Sequence, residues 1–236
     1  MQPTRTMKLR AHADRVLDLF IGLREKYALL KPMVFDDATI RSKGTGQRAR
    51  GFVILLDVVS MSCVLDIAKI AIDKDTRTRP TIRRLVQALK EPKLHQDLRE
   101  SFAVRNVTPT SGYPPDVLEA MAAAERRDED ARRREFERGV IDVTTLWEAL
   151  ECSAALKSFK TIRDKHVAHA ELLHHDGNEY KPFDVTSLGL KWDDLRDTIA
   201  KLERLVVLLT GLYRGASFDF DMLDDQLARA SAAFWS

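Results

Sequence analysis

Cysteine is nearly absent: only Cys63 and Cys152 occur among 236 residues. Both lie inside apolar helical patterns, without the paired spacing of a disulfide framework or a zinc cluster, so reduced thiols in a cytoplasmic protein are expected. Charge of one sign is missing as well. The chain carries 38 basic against 36 acidic side chains, a balance of +2, so no global basic field draws in nucleic acid and any such contact must come from a local patch. Strand signals are scarce, because β-branched and polar residues do not alternate over any length. Internal repeats and low-complexity segments are lacking too. The N-terminal MQPTRTMKLRAHADRV has basic residues but no apolar stretch or small-residue cleavage site behind them, which excludes a secretory signal from the expectation. With 44% hydrophobic residues, the chain can bury a full core, and a single all-α domain over 1–236 is expected.

The segment Gly51 to Ile72 alone approaches membrane length, yet Asp57, Asp66 and Lys69 give it too much charge for a spanning helix. It reads as a core helix, and no membrane partner is expected. On its wheel Ser62, Asp66, Lys69 and Asp73 form a polar stripe. Opposite lie Val53, Asp57, Met61, Val64, Ala68 and Ala71, which places Asp57 in the middle of the apolar face. That position predicts a buried carboxylate that meets a cation or an imidazole.

Helical periodicity carries the rest. A first helix is expected over about Met7 to Leu30, closed by Pro32, then a linker at Lys43-Gly44-Thr45-Gly46 and the apolar helix over about Arg48 to Asp73. A shorter helix from Thr81 to Leu89 ends before Pro92, and a loop rich in Pro, Thr, Ser and Gly follows at Asn106 to Pro115. Pro115 opens a charged helix to about Arg138 whose charges alternate in sign at i,i+3 and i,i+4, the pattern of a solvated face rather than an RNA-gripping arm. After Gly139 the residues Val143, Leu146, Trp147 and Leu150 share a face, but from Cys152 onward the apolar stripe moves to the opposite side, so a break is expected near Ser153. A long loop from His174 to Leu190 precedes a last strong helix, Trp192 to Tyr213, stopped by Gly215. Ser217 to Ser236 forms a terminal helix or an intersubunit tail. Trp147, Trp192 and Trp235 are read as core.

The nine residues Thr161-Ile162-Arg163-Asp164-Lys165-His166-Val167-Ala168-His169 are where the chain looks most like chemistry. At about 100° per residue, Phe159, Arg163, His166 and Ala170 share the side of Cys152 and Leu156, so an arginine sits on an apolar face. An unpaired guanidinium there costs several kcal/mol, so either a carboxylate such as Asp57 meets it or the face lines a cleft that receives an anion. Arg163 and His169 lie roughly 9 Å apart along the axis and about 120° apart around it, too far for one compact site. Two copies meeting at a two-fold axis could set Arg163 of one chain beside His169 of the other. Histidines with pKa near neutrality can take the proton from a ribose 2′-hydroxyl and return one to the leaving 5′-oxygen, while arginine clamps the scissile phosphate. That chemistry needs no metal and no cofactor. A rival metal reading of His166, His169, His174, His175 and Asp176 matches no strong zinc signature.

Arg163-x5-His169, late in an all-α chain, resembles the arginine-x4-to-6-histidine motif of the HEPN superfamily of ribonucleases and nucleotide-binding helical domains. Arg-Asp-Lys-His-Val-Ala-His is similar to its abortive-infection U-type branch, as are Leu65-Asp66-Ile67-Ala68-Lys69-Ile70 and the stretch Asp75 to Leu89. The resemblance covers about residues 48–213, with an N-terminal helix and a C-terminal tail outside it. It implies a four-helix-bundle core, a homodimer and, in active members, metal-independent RNase chemistry. Arg163, His169 and His166 are then the catalytic candidates, and Asp164, polar in the slot after the arginine, and Asp57 the supporting ones. The expected function is a metal-independent endoribonuclease in phage defence or a toxin-like role, acting on RNA as a homodimer, with a regulatory or antitoxin partner. The alternative is a non-catalytic nucleotide- or partner-binding module.

Overall fold

A computed structural model describes residues 4–73, 79–104, 112–168, 172–175, 179–216 and 218–235. Helix α1 runs from Arg5 to Phe35, five residues beyond the expected stop, with Thr4 capping its N-terminus. Pro32 lies inside its last turn. Proline there removes the N–H that would bond the carbonyl four residues back, and the C-terminal helix α9, Phe220–Trp235, supplies donors to that stretch. The Ser231 hydroxyl donates to the Ala28 carbonyl at 2.7 Å, and the Trp235 indole N–H donates to the neighbouring Leu29 carbonyl at 3.1 Å. At the other end of α9, Phe220 meets Phe20 edge to face, with centroids 5.3 Å apart. The chain's tail therefore packs on its own first helix.

After α2 (Asp37–Ser42), α3 covers Gln47–Ile67 and runs on through a π-helical turn, Ala68–Ile72. Its orientation reverses the expectation for Asp57. That carboxylate is exposed, while Asp66 of the polar stripe is 3% exposed, bonded to Lys26 and to Lys69 (2.9 Å). The physical reason is the pair of ammonium groups: a carboxylate with two cationic partners can be buried, and the second half of α3 is buried on both faces whereas the first half, with Asp57, is not. Cys63, Val64, Ile67, Ala68, Ile70 and Ala71 enter the core with it.

Helix α4, Ile82–Leu89, is capped by Thr81. Pro92, expected only as the end of the preceding helix, opens a new one: it is the first residue of α5, Pro92–Ala103, a position where its missing N–H is not needed. Helix α6 spans Pro115–Glu151 unbroken. Gly139 does not interrupt it; a Cβ there would come within 3.0 Å of the Leu212 side chain, so the glycine lets α6 approach α8. The expected break is present, with Ser153 capping α7, Ala154–Ile162. A second π-helical turn, Arg163–Ala168, continues α7. Part of the long loop pairs as a short antiparallel hairpin, β1 Leu172–His175 with β2 Glu179–Pro182, a small departure from an otherwise helical fold. Helix α8, Trp192–Arg214, ends at Gly215 in the left-handed conformation, φ 68°.

Helix α1 packs between α3 and α8, and α6 closes the other side of α8 while holding α5. The buried aliphatic faces of α1, α3, α6 and α8 converge with α4 and α7 on one core, and the fold is all-α. The Tyr213 hydroxyl ties α8 to α4 by donating to the Leu85 carbonyl at 2.7 Å. The two π-helical turns touch the same neighbourhood, since α7 packs on the turn that ends α3.

Candidate functional site

Arg163 opens the π-helical turn of α7, and Asp73 terminates that of α3, where its N–H still bonds the Ala68 carbonyl at 2.8 Å. A π-helical turn carries one residue more than an α-turn, which re-aims the side chains that follow and recurs at functional sites. Here it brings two charges together. Arg163 donates from Nη1 to Asp73 Oδ1 at 2.6 Å and from Nε to Asp164 Oδ1 at 2.7 Å. Arg79 approaches the other Asp73 oxygen at 3.9 Å. Two guanidiniums and two carboxylates thus form one charge-balanced cluster at the surface end of α3 and α7. Their side chains keep 20% (Arg163), 26% (Asp73), 43% (Asp164) and 60% (Arg79) of their exposure. The cluster is therefore neither fully buried nor freely solvated, so its ion pairs lie between the exposed and the buried case.

The expectation that a carboxylate meets Arg163 holds, but the carboxylate is Asp73, not Asp57. Asp57 faces solvent on the far half of α3. Asp164 stands beside Arg163 as the motif placed it. His166 lies within the π-helical turn; its side chain, and His169 altogether, fall outside the described residues, as does Asp176. Only the backbone of His174 and His175 is described, in β1. Asp73 and Arg79 were missed by sequence reasoning. The signal for Asp73 was its place in the stripe with Ser62, Asp66 and Lys69, which was read as solvent-facing.

An arginine has five N–H donors; among the described residues Nη1 bonds Asp73 and both Nε and Nη2 meet Asp164, which holds Arg163 in one orientation and leaves one N–H on each terminal nitrogen for an anion. Such a group can bind a phosphodiester and stabilise charge added to it. General acid–base work needs the histidines.

The arginine-rich stretch of α6 is committed elsewhere. Arg132 donates to the Ala103 carbonyl and to Glu125, and Arg133 bonds Glu100, Glu129 and Asp130. The hydrogen bond from Arg133 holds the Glu100 carboxyl below its ordinary range. The contacts to Ala103 and Glu100 tie α6 to α5, whereas the alternating charges imply only a solvated face; the remaining pairs lie within α6.

No curated protein and no solved structure matches the chain. A family model does, and it takes in α1 and most of α9, well beyond the span over which the motifs resemble the family. Residues 7–234 match the HEPN family described as AbiU2, and the chain belongs to that family.

Proposed function

We propose that this AbiU2-type HEPN protein is a metal-independent endoribonuclease of abortive infection or a toxin-like system. The observation that carries the reading is Arg163 of the Arg-x5-His motif, oriented by Asp73 and Asp164 at an accessible end of the bundle. Arg163 clamps the scissile phosphate and stabilises its added charge. His169 and His166 exchange protons with the 2′-hydroxyl and the leaving 5′-oxygen, so the 2′-oxygen attacks phosphorus, the 5′-oxygen departs with a proton, and a 2′,3′-cyclic phosphate remains. The substrate is RNA, and a partner that covers the Arg163 cluster would silence the protein.

A second reading, a nucleotide- or partner-binding module without catalysis, draws on the same cluster: Arg163 already has two anionic partners. The experiment is incubation of single-stranded RNA with the purified protein in EDTA. Cleavage that leaves 2′,3′-cyclic phosphate ends and is lost in Arg163→Ala and His169→Ala, both still folded, is expected. Cleavage abolished by chelator and restored by zinc or manganese would overturn the metal-independent mechanism. No cleavage, with nucleotide binding that disappears in Arg163→Ala, would establish the binding module instead.

A further inference from the structure

Helices α1, α2 and α9 border a cleft of about 790 Å³, a volume within the range of small-molecule sites. None of Asp73, Arg79, Arg163 and Asp164 lines it, so it is separate from the arginine cluster. Its middle is apolar, formed by Ala28 and Pro32 of α1 and by Leu227, Ala228 and Ala232 of α9. Polar groups gather toward two ends. Asp224, bonded to Arg24, and its neighbour Asp225 mark one; Asp36, Thr39 and Ser42, where α2 leaves α1, mark the other. Positions 24 and 36 are on the order of 18 Å apart at the α-helical rise.

What the two ends offer a ligand is mainly hydrogen-bond acceptors. Thr39 donates its hydroxyl proton to Asp36 at 2.5 Å, Ser42 to the Thr39 carbonyl at 2.8 Å and Ser231 to the Ala28 carbonyl at 2.7 Å, so each of these lining hydroxyls presents only lone pairs. The Trp235 indole N–H is engaged by the Leu29 carbonyl, and the carboxylates accept only. Arg24 is matched twice, by Glu203 and Asp224. That leaves Asp36 and Asp225 against the exposed ammonium of Lys31. Burial raises the Glu203 carboxyl, and Asp224 and Asp221 add to this against the pull of Arg24, so the Arg24 end is short of positive charge. Tyr27 also lines the cleft. It is 8% exposed, and its hydroxyl has no hydrogen-bond partner. An unpaired buried hydroxyl is costly, and a ligand N–H that reached it would supply the missing partner.

We propose that this cleft binds an aliphatic polyamine. Its terminal ammonium groups lie against the carboxylates at the two ends, its methylenes cover the apolar middle, and one of its N–H groups donates to the Tyr27 hydroxyl. An extended tetra-amine matches the span between the ends, and it brings the donors and the positive charge that the lining lacks. A dianion of similar build meets carboxylates at both ends and finds few donors. The site goes beyond the ribonuclease reading and is independent of it.

Isothermal titration calorimetry of the full-length chain with spermine at about 0.15 M salt tests the site without reference to cleavage. One spermine per chain should bind, and glutarate should not. Asp225→Asn should weaken spermine binding about threefold to fivefold by removing one exposed carboxylate. Tyr27→Phe should weaken it about threefold to tenfold, yet leave the melting temperature of the ligand-free protein at or above that of wild type, because the hydroxyl it removes has no partner. No binding of spermine, several weak sites that disappear with salt and ignore both substitutions, or equal binding of glutarate would overturn the proposal. So would binding of a lysine-rich peptide by a protein that takes up no spermine.

Discussion

Asp73 competes with phosphate for Arg163, and Asp73→Asn should expose that competition. The Arg163–Asp73 contact is short, 2.6 Å, between side chains that retain 20% and 26% of their exposure. It lies between an exposed ion pair, about 0–1 kcal/mol, and a fully buried one, about 3–5 kcal/mol when a single partner is removed. Arg163 would keep Asp164, and the asparagine would keep an acceptor, so a destabilisation of about 1 kcal/mol is expected. The same interaction works in the opposite direction on ligand binding. An incoming phosphate no longer has to displace or share with a carboxylate, and about 1 kcal/mol corresponds to roughly fivefold tighter binding. Fluorescence anisotropy with a short single-stranded RNA at fixed salt, beside a urea titration, reads both quantities. Stability should fall slightly while affinity rises, whereas Arg163→Ala should lose affinity. If Asp73→Asn weakens RNA binding in step with Arg163→Ala, Asp73 is needed to aim the arginine, and the competition between carboxylate and phosphate is refuted.

The Asp66 centre should respond unequally to its two sides. Asp66→Leu releases Lys26 and Lys69, whose side chains are 40% and 52% exposed and can turn to water, so a loss of about 1 kcal/mol or less is expected in urea unfolding. Replacing both lysines by methionine strands a carboxylate that is 5% exposed and should cost about 3–5 kcal/mol; the reverse ranking would show that Asp66 is not held by them. Burial pushes the Cys63 thiol up to about 12, helped by the negative charge of Asp66 and opposed by Lys26. Its unfolded value is about 8.5, so its contribution is complete below that pH and is lost as pH rises toward 12. The urea midpoint should fall between about pH 8 and pH 11, and the fall should be shallower in Cys63→Ala. Equal slopes would place the alkaline loss elsewhere.

Helix positions were legible where apolar spacing and a terminal signal agreed. Thr81 before the α4 stripe, the shift of stripe at Ser153, and Gly215 after the long repeat of α8 each mark a physical event: a cap, a break, a left-handed residue. Proline was legible as punctuation but not in direction. Pro32 was read as a stop and Pro92 as the end of α4, although one lies inside a last turn and the other begins α5. A proline is compatible with both ends of a helix, and what decides is whether other groups satisfy the carbonyl it frees.

The site was half legible. Arg163 and its neighbour Asp164 follow from local order, but the partner from α3 depends on which side of an almost uniformly apolar helix turns inward. The wheel puts Asp57 and Asp66 on opposite faces, but the difference between them runs along the helix: Val64, Ala68 and Ala71 of the Asp57 face are buried beside Asp66, while the first half of α3 is exposed. The burial of Asp66 is matched by Lys26, forty residues upstream, a tertiary pairing that no window along the chain contains.

The seat of α9 on α1 has a consequence for the order in which this protein can be completed. Ser231 and Trp235 serve carbonyls one turn before Pro32, and Phe220 covers Phe20, so α9 finishes a helix that leaves the ribosome well before it. Until about 200 further residues have been synthesised, the Ala28 carbonyl that Pro32 frees has only water to bond it, and nothing from α9 shields Phe20. A chain cut short before Phe220 keeps Arg163 and Asp73 yet carries an unfinished first helix, and so presents the quality-control machinery of the cell with exposed apolar surface at its beginning rather than at the cut.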